Sequence, residues 1–201
     1  MHMELKFKEA LDFYRNGQLN KSKEICLKIL KNYPKHFDSF HLLSIISFLN
    51  KNYLEASKFI DKAIKINSKH AYAYYDQGTI FHQLEEFELA LKSFNKAIKI
   101  NPKYARAYYN RGNTLRELKR YENAIESFKK AIEIDPNDFE AHNNCGNLFF
   151  ELGKYNLALQ SFDKAIKINP NYADGYYNLA NILYELGQLE NSIDNYKKAI
   201  K

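Results

Sequence analysis

Asparagine recurs at two registers in this 201-residue chain. The first reads Asp76, Asn110, Asn144, Asn178; the second, three residues on, reads Thr79, Asn113, Asn147, Asn181, so each returns every 34 residues. A primary amide carries N–H donors and a carbonyl acceptor, and can bond both the carbonyl and the N–H of an extended peptide whatever its side chains are. A row of amides at regular intervals would therefore read backbone ahead of sequence. Tyr75, Tyr109 and Tyr177, each one residue before the first register, offer flat amphipathic surfaces such as interfaces often use. The competing reading is that these amides cap helices or bond between adjacent ones, with no ligand involved.

Other residue groupings exclude more than they suggest. The chain has no Gly-rich phosphate loop, no HExxH, no paired-cysteine motif and no Gly-x-Ser-x-Gly, so it is expected to be a binding protein, not an enzyme, with no cofactor. Cys26 and Cys145 stand at core-facing positions far apart in sequence and are expected to be reduced thiols, with no metal site. The histidines are scattered: His36 and His70 occupy equivalent turn positions, and His41, His82 and His142 are expected in packing or solvated roles. The formal charge of +6 sits in the first 70 residues on spaced lysines such as Lys21, Lys28 and Lys31, which a solvated helical face explains, so nucleic acid is not the expected partner. The opening MHMELKFKEA has no apolar run, which points to a cytoplasmic chain without membrane contact.

The elements that must position the amides follow from the period. YYNRGNTL from Tyr108, HNNCGNLF from His142 and YYNLANIL from Tyr176 repeat one phrase, and the register extends without insertion to 3–36, 37–70, 71–104, 105–138, 139–172 and 173–201. Such units bury surface only against neighbours, so residues 1–201 are expected to form a single array. Within 105–138, Ala107, Tyr108, Leu115 and Leu118, then Ala124, Ile125, Phe128, Ala131, Ile132 and Ile134, fall at helical spacing on either side of the polar turn LKRYEN. Each repeat is thus predicted to be an antiparallel helical hairpin. Pro102, Pro136 and Pro170 stop one hairpin before the next. Gly78, Gly112 and Gly146 are matched by Ala90, Ala124 and Ala158, small residues expected to let the two helices approach closely.

Counting from the first residue of each repeat, positions 2, 5, 6, 9, 12 and 13 form a stripe on the first helix turned away from its partner. Both amide registers lie on it, with Arg106, Glu117, Glu140, Glu151, Asp174 and Glu185 at its edges. Those edges predict an acidic later half, opposite in sign to the whole chain, suited to a polar or basic ligand. The last repeat stops inside its second helix with Leu183, Ile193, Tyr196 and Ile200 lacking a following hairpin, so homo-oligomers through the terminal helices are a further expectation.

These residues resemble the tetratricopeptide-repeat family over essentially the whole chain. Period 34, Gly at position 8, Ala at 20, an aromatic at 24, Ala at 27 and Pro at 32 are met in 105–138 by Gly112, Ala124, Phe128, Ala131 and Pro136. The first two repeats depart from the pattern, with Ala10 and Ser44 for Gly, Ser22 for Ala and Ser68 for Pro. The resemblance implies an all-α fold, a right-handed α-solenoid of six helix-turn-helix units whose first helices line a concave groove. It also implies a scaffold or adaptor that binds an extended protein or peptide segment. Asn110, Asn144 and Asn178 are similar to the asparagine ladder of the repeat domain in O-linked N-acetylglucosamine transferase. The carboxylate clamp of chaperone-binding arrays is not matched, because Tyr75, Thr79, Glu140 and Asn144 stand at its sites. Other readings are a substrate-binding module of a larger enzyme such as a glycosyltransferase, self-assembly through uncapped ends, and RNA binding through the basic first repeats.

Overall fold

The structure, a computed structural model, describes residues 2–200, and among them every regular element is an α-helix. The chain divides into two compact units, Met1–Pro102 and Lys103–Lys201. The first holds α1 (His2–Arg15), α2 (Leu19–Asn32), α3 (Phe37–Leu49), α4 (Tyr53–Ile66), α5 (Ala71–Gln83) and α6 (Phe87–Ile100). The second holds α7 (Ala105–Glu117), α8 (Tyr121–Ile134), α9 (Phe139–Glu151), α10 (Tyr155–Ile168), α11 (Ala173–Glu185) and α12 (Leu189–Ala199). Each unit is a stack of three antiparallel hairpins, packed tightly within a hairpin and more sparsely between successive ones.

The hairpin turn has one backbone solution. Gly17, Lys51, Glu85, Lys119, Gly153 and Gly187 all take left-handed φ between 56° and 74°. They share position 15 of their repeats. Glycine adopts this region freely, whereas a side chain there costs about 1 kcal/mol. Lys51, Glu85 and Lys119 therefore carry strain that the other three turns avoid.

The turn between hairpins needs no proline. Asn67, with Ser68 after it, has φ −131° and ψ 92°, nearly the angles of Asn101 (−128°, 92°) and Asp135 (−125°, 91°), both of which precede proline. The Lys69 N–H donates to the Asn67 side-chain oxygen at 3.1 Å, as Asn137 does to Asp135 and Asn171 to Asn169. A side-chain turn holds the extended residue in place whether or not the ring follows.

The core of three of the hairpins is a phenylalanine on the second helix. Phe94, Phe128 and Phe162 are buried with 0–1% of their surface exposed. A Cβ added at Gly78, Gly112 or Gly146 would lie 2.6–2.7 Å from the nearest atom of that ring, so the ring occupies the space that a side chain would need. The close partner of each of these glycines is thus the aromatic at position 24. The residue at position 20 also lies close to position 8: Ser22 and Ser192 donate to the carbonyls of Ala10 and Ala180 at 2.8 and 2.9 Å. Where position 24 is not phenylalanine, as at Cys26, Ile60 and Tyr196, position 8 carries a side chain, as Ala10, Ser44 and Ala180. Cys26 and Cys145 are buried free thiols whose pKa values burial pushes up to about 12 and about 11, which keeps them protonated and unreactive. On α12, Leu189 and Ile193 are 54% and 53% exposed, while Leu91 and Ile125, the counterparts of Ile193, are each 7% exposed.

Two stability changes follow. Gly112→Ala should lower stability by about 1–3 kcal/mol through overpacking. Gly112→Ala with Phe128→Ile, which places a small side chain opposite isoleucine as Ser44 and Ile60 do, should recover part of that loss in a double-mutant cycle of urea unfolding. Lys119→Gly should raise the melting temperature by relieving a left-handed residue, with a gain of about 0.5–1 kcal/mol; an unchanged or lower value would show that the turn is unstrained.

Candidate functional site

In residues 103–201 the face made by α7, α9 and α11 is half-buried at its middle and exposed at its edges. The Asn144 amide nitrogen donates to the Tyr109 hydroxyl and to the Asn113 side-chain oxygen, each at 3.1 Å. Asn113 also bonds the Tyr109 hydroxyl, so Tyr109, Asn113 and Asn144 close a polar cluster between α7 and α9. Burial raises the Tyr109 pKa, the Asn113 bond opposes that shift, and Glu140 and Asp138 add to it. One repeat on, the Asn178 amide donates to the side-chain oxygen of Asn143 at 3.0 Å. Asn181 accepts from the Tyr196 hydroxyl, and Asn110 is half-buried and not without a partner.

Once these bonds are counted, several amide groups remain open, among them the Asn178 oxygen and the Asn181 N–H groups, and two stand together on α9. Asn144 has given both of its N–H groups to neighbours, which leaves its carbonyl oxygen. Asn147, half-buried three residues further along the same helix face, has no side-chain partner among the described residues. Residues three apart are neighbours on a helix surface.

The tyrosines are less available to a ligand than their types suggest. The ring of Tyr109 lies 5.8 Å from Phe128, that of Tyr177 5.8 Å from Tyr196, and, in the first unit, that of Tyr75 6.0 Å from Phe94. Only Tyr177, 54% exposed, keeps a broad open face. The edge charges Arg106, Glu117, Glu140, Glu151, Asp174 and Glu185 are all exposed. Glu117 pairs with Arg116 at 3.3 Å, and Glu151 is hydrogen-bonded to Tyr121, whose pKa its charge raises. Glu140 and Asp174 act together on Tyr172: burial first, then these two carboxylates, push its pKa up to about 12.

In residues 2–102 the matching positions hold a histidine hydrogen-bonded to a carboxylate. His41 Nε2 donates to Asp76 Oδ2 at 2.6 Å, and Thr79 donates its hydroxyl to the Tyr75 carbonyl at 3.1 Å. The His41 and His70 rings are 5.5 Å apart, and Phe37 packs on both. His36 and His70 are helix N-caps: His36 Nδ1 accepts the Ser39 N–H and His70 Nδ1 the Ala73 N–H, each at 3.2 Å. No group of three or more possible metal ligands occurs among the described residues. No helix there is long and apolar enough to cross a membrane.

The pattern that makes these hairpins is that of a known family. Residues 78–115, 112–153 and 146–187 match the TPR repeat, and residues 4–36 match the tetratricopeptide repeat. The chain belongs to the tetratricopeptide-repeat family. Solved tetratricopeptide-repeat (TPR) and other structures share its fold. YrrB, described as a TPR protein with an unusual peptide-binding site, is 24% identical with a TM-score of 0.72 over 87% of this chain and 90% of its own. PilF of Pseudomonas aeruginosa is 17% identical with a TM-score of 0.84 over 96% and 88%. MamA from Desulfovibrio magneticus RS-1 is 20% identical with a TM-score of 0.79 over 85% and 96%. At these identities the likeness is one of fold. No curated protein matches the chain significantly.

Within this TPR chain, His41 and Asn143 belong to the polar face although their types alone did not single them out. Both stand at position 5, which reads His41, Tyr75, Tyr109, Asn143 and Tyr177 in successive repeats. Every side chain in that series can hydrogen-bond, and this was the available signal.

The His70 cap makes stability depend on pH. Burial chiefly, then the neighbouring His41, holds the His70 pKa below the ordinary 6.5, against the opposing pull of Asp38 and Asp76. A depressed pKa gives stability that is complete above the unfolded-state value and is lost as pH falls below it. Stability to urea should accordingly decline from about pH 7 to about pH 5. His70→Asn, which keeps a capping acceptor, should flatten the profile; the residual slope includes His142, which burial holds down in the same direction.

Proposed function

We propose that this protein is a non-catalytic interaction scaffold that holds an extended segment of a partner protein against the first-helix stripes of its repeats. Membership of the tetratricopeptide-repeat family supports the scaffold reading. The observation that carries the peptide reading is the open pair on α9. An acceptor at Asn144 and a whole amide at Asn147 stand one turn apart on a half-buried face, where a peptide N–H and carbonyl can each find a partner. The bridges to Tyr109, Asn113 and Asn143 fix the rotamers of Asn144 and Asn178, so little side-chain entropy remains to be lost on binding. Tyr177 and the carboxylates of Glu140, Asp174 and Glu185 supply a surface suited to polar or basic side chains beside that backbone. YrrB is described as having an unusual peptide-binding site, which is in keeping with this use of the fold.

A display selection of random peptides on the whole chain, counter-screened with Asn147→Ala, tests the reading. Asn147 bridges nothing, so this change should leave the melting temperature within about 0.5 kcal/mol of unchanged stability while weakening selected peptides about fivefold or more. Peptides that survive Asn147→Ala, and also Asn144→Ala in a chain shown to remain helical, would mean that the ladder only joins repeats. A selection without enrichment would remove the peptide reading altogether.

A further inference from the structure

We propose that residues 2–102 contain a specificity pocket for one aliphatic side chain of a bound extended segment, with the backbone N–H of that residue donated to Asp76. The second repeat is where the polar stripe turns apolar. A cavity of about 80 Å³ lies there, lined by Ser44, Ile45, Phe48, Asp76, Thr79 and Ile80. Ile45 and Phe48 come from α3, and Thr79 and Ile80 from α5. The volume is roughly half that of an engineered cavity of about 150 Å³ that takes benzene, so it suits a leucine- or valine-sized group and not an aromatic ring.

The hydrogen-bonding state of the walls narrows the occupant further. Ser44 has given its hydroxyl proton to the His41 carbonyl at 2.7 Å, and Thr79 has given its own to the Tyr75 carbonyl. Asp76 takes the His41 Nε2 proton on one carboxylate oxygen, and the other has no partner among the described residues. Each polar group on the wall has therefore spent its hydrogen or, like the carboxylate, has none, and what remains is lone pairs. A ligand must bring a donor, and an N–H given to a carboxylate forms a charge-assisted bond. A segment ending in a free carboxylate at this point is repelled. The chemistry selected is an internal aliphatic residue, with apolar carbons in the cavity and its amide N–H at the Asp76 rim.

This inference rests on the peptide-binding reading, but its readout lies in residues 2–102, whereas Asn144 and Asn147 lie in residues 103–201, so either can fail alone. The test is methyl NMR of the whole chain titrated with acetyl-Ala-Ala-Leu-Ala-Ala-amide. Saturable shifts are expected at the Ile45, Thr79 and Ile80 methyls, and the peptide with alanine in place of leucine should bind about tenfold more weakly. A peptide ending in leucine with a free carboxylate should also bind more weakly. Ile45→Phe, which fills the cavity, should abolish the shifts at Thr79 and Ile80. Equal responses to the leucine and alanine peptides, or no shift at these three methyls, would overturn the pocket, and these two outcomes hold even if the filled variant does not fold. Tighter binding of free leucine than of the capped peptide would overturn the choice of an internal residue.

Discussion

Three phenylalanine rings resting against glycines with no side chain set how the hairpins are built. Phe94, Phe128 and Phe162 occupy the space where Gly78, Gly112 and Gly146 would carry a Cβ. A glycine inside a helix costs about 1 kcal/mol relative to alanine, and burial of a whole phenylalanine, worth about 1.5–3 kcal/mol, offsets it. The same ring supports the next layer out, because Tyr75 and Tyr109 lie against Phe94 and Phe128. Side chains that look outward from the first helix are thereby held from below, and the amides beside them sit on a fixed base.

A second constraint acts between repeats. Position 5 of one repeat bonds position 6 of the next through His41 and Asp76, through Tyr109 and Asn144, and through Asn143 and Asn178. The residue at position 5 changes from an imidazole to a phenol and then to an amide, while the pairing of positions stays the same. A polar seam suits this place because the half-buried face keeps water on one side and offers hydrogen-bond partners on the other. No buried side-chain polar atom of the described residues is left unsatisfied. The seam also answers part of the functional question in advance: an amide that joins two repeats is first a structural residue, and only what it leaves unbonded is open to a ligand.

The period made the hairpins legible, since a 34-residue recurrence with helical spacing on both sides of a polar turn admits little else. The glycines were legible as points of close approach, but their phenylalanine partners were not, because that pairing is set by how two helices cross. It becomes readable only when repeats are compared with one another: phenylalanine goes with glycine, and Cys26, Ile60 and Tyr196 go with Ala10, Ser44 and Ala180. Left-handed turns at Lys51, Glu85 and Lys119 were hidden for a similar reason, as only their counterparts Gly17, Gly153 and Gly187 announce the conformation. At the site, the amide registers were visible and their partners were not. Hydrogen-bond capacity can be read from a residue type, but whether it is already used depends on a neighbour about 35 residues away.

That spending of hydrogen bonds decides what each unit leaves open on its first helices. Asn144 begins with donors and an acceptor and ends with an acceptor, because Tyr109 and Asn113 take its N–H groups. Ser44 and Thr79 end the same way, with their protons turned back to helix carbonyls. Asp76 has no proton to give, and Glu140 and Asp174 add charge of the same sign to lone pairs of the same sense. Where a donor is turned to a neighbour, as at Asn144, Ser44 and Thr79, a lone pair is what stays open, whereas Asn147 keeps its donors and its acceptor. A nucleic-acid phosphate chain carries charge of the same sign as Glu140 and Asp174, which weighs against it on this face of residues 103–201.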